Sequence, residues 1–138
     1  MENNVSYLEE SLNIKFPTSY IQFLSSNNLE NKKFSFTMND GGHISKEVIH
    51  FLNFNERSDD YIGSVCKKEE HLEPNQLTPF ARTDWEFDLL CFYFDNRGTN
   101  HEPKIIYFCF DLYYESLEDA IFYMANSFSE FLLKLNVE

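Results

Sequence analysis

Two runs in the second half of the chain restrict its fold more than any other feature. Asp88–Asp95 (Asp-Leu-Leu-Cys-Phe-Tyr-Phe-Asp) and Lys104–Asp111 (Lys-Ile-Ile-Tyr-Phe-Cys-Phe-Asp) are apolar at consecutive positions, not only at alternate ones. Aromatic and β-branched residues favour strands. A strand that is apolar on both sides has to be covered on both faces. The runs therefore predict two adjacent strands near the centre of a sheet. The polar stretch Asn96–Pro103 joins them as an antiparallel hairpin with a longer loop.

The flanking segments supply the covering layers. Residues 3–13 predict a short helix, with Val5, Leu8 and Leu12 at helical spacing. Ser6 and Glu9 have capping-box spacing, and Asn3 or Asn4 is an alternative cap. A second helix is predicted from Pro17, with Tyr20, Phe23 and Leu24 on its apolar face and Asn27-Asn28 as terminators. Residues 33–38 alternate in polarity and predict a strand, followed by a turn at Asn39-Asp40-Gly41-Gly42. Residues 47–54 predict another strand, and Ser58 to about Leu72 a polar helix. The chain closes on an amphipathic helical pattern from Ile121 through Leu135, and a capping box at Ser127 and Glu130 offers Ser127 as the alternative start of the regular helix. This order implies one α+β domain over 1–138, with helices packed on a mostly antiparallel central sheet.

A core needs apolar material, and 15 Phe, 8 Tyr and 1 Trp provide it. No segment has the basic and apolar pattern of a signal peptide or the length of a membrane span, so a cytoplasmic protein is expected. The cysteines, Cys66, Cys91 and Cys109, are odd in number and lack C-x-x-C spacing. Reduced, packed thiols are expected, although Lys67 and Lys68 could activate Cys66. The histidines, His43, His50, His71 and His101, form no metal-binding spacing. No phosphate loop or nucleophile elbow is present. These absences predict a non-enzyme with no catalytic residue, no cofactor and no metal.

What remains is charge. The net charge is −12, and residues 69–138 carry 14 acids against 4 bases. Such a chain repels nucleic acid and anionic lipid and attracts basic proteins. Asp84, Glu86 and Asp88 alternate around Trp85 and Phe87, and an extended backbone would set three carboxylates on one face. Glu115, Glu118 and Asp119 form a second acidic group. These six acids are the candidate partner-binding residues; a solvated edge is the plainer reading of the first three, and helix-end placement accounts for part of the second group.

Several segments, in order, resemble one family. Phe16-Pro17-Thr18-Ser19-Tyr20-Ile21-Gln22-Phe23-Leu24 resembles the Leu-Pro-x-x-Tyr-x-x-Phe-Leu segment of the SUKH superfamily, also called the Smi/Knr family. Asn27-Asn28, Thr78-Pro79-Phe80-Ala81, the runs Asp88–Asp95 and Lys104–Phe108, and Ala125–Leu132 resemble its later segments. Phe87 and Leu29 stand where the family usually has Gly. The resemblance implies an α+β domain without catalytic residues. It also implies an immunity protein that neutralises a cognate bacterial polymorphic toxin, in many cases a nuclease, and the acidity of this chain calls for a basic one. An interaction or regulatory module with a host partner is the alternative, and a small hydrolase using acidic residues is a third reading.

Overall fold

The computed structural model describes residues 2–27, 29, 32–69, 72–73, 76–85, 88–94, 102–113 and 116–138. The terminator Asn28, the hairpin loop over 95–101, His71, Glu86, Phe87 and Glu115 lie outside the described residues. Helices α1 (Glu2–Leu12) and α2 (Thr18–Ser26) open the chain. Strands β1 (Phe34–Asp40) and β2 (His43–Phe51) follow, then helix α3 (Ile62–Lys68). Strands β3 (Leu77–Thr83), β4 (Leu89–Tyr93) and β5 (Lys104–Phe108) come next. Short helices α4 (Phe110–Tyr113) and α5 (Leu117–Ala120) lead to β6 (Ile121–Ala125), α6 (Phe128–Leu132) and β7 (Asn136–Val137). The strands form an antiparallel sheet in the order β6-β5-β4-β3-β2-β1-β7.

The two consecutive apolar runs behave as their patterning requires. Leu90, Phe92, Ile105 and Tyr107 face one core cluster, while Leu89, Cys91, Ile106 and Phe108 face another. Both sheet faces are therefore covered, and the alternation of period two sorts the residues between them. The larger cluster is centred on Tyr20, whose ring makes edge-on contacts with Phe54, Phe80, Phe92 and Phe128 at 5.0–5.9 Å between centroids. Its hydroxyl donates to Leu52 O at 3.3 Å, so the buried polar tip is satisfied. The α2 segment thus delivers its tyrosine to the middle of the aromatic core.

Three expectations need correction. Ile121–Ala125 is an edge strand, not the first turns of the closing helix. Its residues satisfy both periodicities, and the outer hydrogen bonds of β5 select the strand, pairing Tyr107 with Phe122 and Phe108 with Ile121. The regular helix begins after Ser127, the alternative start that the capping box offered, and Ser127 Oγ accepts from Glu130 N at 3.1 Å. The helix expected from Ser58 is confined to Ile62–Lys68. Ahead of it, Asn53 and Asn55 bind the amides two residues on, and Ser58 Oγ accepts from Asp60 N. These local bonds offer the backbone an alternative to helix. Ser6 lies inside α1 and does not cap it; Glu9 instead accepts from Phe16 N at 2.8 Å. Strand β3 holds the sheet centre despite Pro79, because the register shifts between Pro79 and Ala81 and the missing amide falls at that irregularity.

Candidate partner-binding surface

The described parts of the link between β3 and β4, Thr83–Trp85 and Asp88, are tied to one another and not strung out as an extended acidic edge. Thr83 Oγ1 accepts from Trp85 N at 3.1 Å and shares its proton between Trp85 O (2.9 Å) and Asp88 O (3.1 Å). Asp88 N donates to Trp85 O at 3.3 Å. This network sends the neighbouring carboxylates in different directions. Asp88 turns inward and accepts from Tyr107 Oη at 2.8 Å and from Phe110 N at 2.9 Å. It ties the start of α4 to the sheet. Burial pushes the Tyr107 hydroxyl above the ordinary phenol range, and its donation to Asp88 adds to that.

Asp84 points outward, with 60% of its side chain exposed, and lies 3.0 Å from His50 Nε2 on β2. Trp85 is 64% exposed, and its indole N–H donates to Glu47 Oε2 at 3.3 Å. Glu47 sits on the facing part of β2. Partial burial pushes its carboxyl above the ordinary range; the indole bond opposes this, and Asp88 and Asp84 push it further up. The exposed indole is therefore oriented by Glu47, next in sequence to the outward-facing Asp84.

Thr83, Trp85 and Asp88 also line a cleft of about 390 Å³ together with Ser64, Val65 and Lys68 of α3. Arg82 and Asp60, which line it too, form an ion pair, Nε to Oδ1 at 2.7 Å.

The six predicted acids separate accordingly. Asp84 is surface, Asp88 is a structural tie, and Glu86 and Glu115 lie outside the described residues. Glu118 and Asp119 are exposed on α5, where Ser116 Oγ caps Asp119 N at 3.1 Å. Among the described residues no hydrogen bond or ion pair joins them to the Asp84–Asp88 turn. Sequence reasoning missed Glu47, His50, Asp60 and Arg82 as neighbours of this turn. Glu47, His50 and Asp60 stand 22 to 38 residues from their partners Trp85, Asp84 and Arg82, which leaves no local pattern. The one available signal was a lone tryptophan set between acids.

Other chemistry is weakly supplied. Burial pushes the Cys66 thiol up to about 12, and Cys91 well above its usual value. The neighbouring lysines do not activate Cys66, because its position on the buried side of α3 dominates. His43 is exposed at the start of β2, and His71 and His101 lie outside the described residues. Among the described residues no group of three His, Cys, Asp or Glu is arranged to hold a metal, and no helix is long and apolar enough to cross a membrane.

No curated protein and no solved structure matches the chain. A family model does, over nearly its whole length. It matches residues 2–134, spanning the aromatic-centred helix, the β3–β4 turn with its cleft, and the closing helix. The chain belongs to the SMI1 / KNR4 family (SUKH-1).

Proposed function

We propose that this protein is an immunity protein that binds a cognate bacterial toxin and blocks the toxin's basic active-site surface. The observation that carries the reading is the family match over residues 2–134, since SUKH domains are generally of the immunity-protein type. The charge supports it. Fourteen acids against four bases in residues 69–138 suit a cationic partner. A nuclease groove has to be positive to hold phosphates, and carboxylates can take those phosphate positions. A stable complex of this kind buries roughly 1,200–2,000 Å² in total. Asp84, Glu118 and Asp119 are the exposed acids available for contact, with Glu86 and Glu115 completing the proposed set. Asp88 serves by holding the turn in shape.

The test is co-expression with the product of the neighbouring gene. Growth rescue together with co-purification of the two proteins is the expected result. Rescue without a physical complex would overturn inhibition by binding, and no rescue by the folded protein against any neighbouring toxin would overturn immunity.

A further inference from the structure

We propose that the outer edge of β1 pairs with the same edge of a second copy of this chain, joining two sheets into one about a two-fold axis. Strand β7 covers only the start of β1, setting Val137 opposite Phe34 and Asn136 opposite Ser35. Among the described residues no strand pairs with that side of β1 beyond Ser35. The direction of the backbone there follows from its neighbours. Glu138 N donates to Lys33 O at 3.0 Å, so the backbone of Lys33 faces outward. In an antiparallel ladder, successive residues turn their N–H and C=O to opposite sides of the strand. Ser35, Thr37 and Asn39 therefore face outward as Lys33 does, while Phe36, Met38 and Asp40 bond to β2. The Gly41-Gly42 turn agrees, because a two-residue turn with both φ positive closes on the hydrogen-bonded pair Asp40–His43. Thr37 and Asn39, both exposed, thus present a row of open backbone donors and acceptors.

Such an edge invites another strand unless it is guarded by a lysine, a proline or a bulge. Phe34–Asp40 contains neither Lys nor Pro, and its seven pairs with β2 run without a register shift. The opposite edge of the sheet is treated differently: β6 pairs irregularly with β5, and Lys134 Nζ occupies Met124 O. Charge selects the occupant. Lys32, Lys33 and Lys46 stand against Asp40, Glu47 and Glu138 along β1, β2 and β7, and Lys46 and Glu138 pair at 2.5 Å. The edge is therefore balanced, in a molecule whose excess acid lies in residues 69–138. It gives a basic partner no preference and a second copy no local repulsion. Ile44, opposite Asn39, and Val137, opposite Phe34, are 64% and 73% exposed. Phe34 and Asn39 are an odd number of residues apart, so each sheet face has one exposed apolar side chain beside the joint. Antiparallel pairing about a two-fold axis lets the outward groups of each β1 satisfy those of the other, and the guarded β6 edges stop further growth, which closes the assembly at two copies.

The test is sedimentation of the purified full-length protein alone, from about 1 μM to about 1 mM. A mass that rises with concentration from one copy to two is expected. Thr37→Pro removes an outward amide without removing a bond to β2, and should weaken the dimer by at least about ten-fold. Thr37→Lys, which places a charge on the open edge and keeps the amide, should weaken it as well, and it decides the matter if the proline variant fails to fold by circular dichroism. Tyr123→Lys, on the opposite edge, should leave the dimer unchanged. A single-copy mass over the whole range, growth beyond two copies, or a dimer as tight in folded Thr37→Lys as in the wild type overturns the pairing. A single-copy wild type whose complex with the neighbouring toxin is lost in folded Thr37→Lys assigns the edge to a strand of the toxin and equally overturns the second copy.

Discussion

Asp88 makes two hydrogen bonds that a solvated contact acid has no reason to make. Its carboxylate holds Tyr107 Oη on β5 and Phe110 N at the start of α4. Hydrogen bonds to a charged group contribute about 1.5–3 kcal/mol each, and removing the acceptor leaves two donors short of a partner. Asp88→Ala is therefore expected to lower stability by about 2–4 kcal/mol, read as a shift in the urea midpoint. Asp84→Ala, four residues earlier and exposed, should cost under about 1 kcal/mol. Equal costs at the two positions would contradict the division between tie and surface. The distinction was not legible in the alternation of Asp84, Glu86 and Asp88, because it depends on where Thr83 folds the backbone.

The elements show which local signals survive tertiary competition. The capping box at Ser127 and Glu130 marks a real helix start, with Ser127 backbone extended at φ −154° and its hydroxyl on Glu130 N. Its loss is expected to cost about 1 kcal/mol in Ser127→Ala, measured by thermal melting, because an N-cap oxygen satisfies an otherwise orphan amide. Ser127→Asn should restore most of it. The same spacing at Ser6 and Glu9 marks nothing, since α1 already runs through Ser6. Gly41 and Gly42 were readable as a turn, and both have positive φ, at 59° and 92°. The paired runs β4 and β5 were readable because burial on both faces leaves a composition signature. The strand β3 was less so. Its proline argues against a central strand, and only the register shift beside it makes the position tolerable. The edge β6 read as helix because Ile121, Met124, Ala125 and Phe128 fit that period equally well. Lys134 Nζ donates to Met124 O there, which helps blunt an edge that would otherwise invite strand pairing.

At the scale of the whole molecule, the proposed contact acids and the carboxylate that ties the turn are different groups. A formal charge of −12 on 138 residues creates a field that reaches beyond any one contact. At 0.01 M salt such a field extends about 30 Å, and at 0.15 M about 8 Å. A basic toxin approaching this surface should then be captured at a rate that salt controls. Between those salt concentrations the association rate constant is expected to fall by about ten-fold or more, while the dissociation rate changes little, because steering acts on the encounter and not on the packed interface. Glu118→Lys/Asp119→Lys moves the formal charge from −12 to −8 without touching a described core residue. It should slow association and flatten the salt dependence, as read by stopped-flow mixing with the purified toxin at several ionic strengths. An association rate indifferent to salt would mean that the acidic half is there for solubility, and that recognition depends on shape alone.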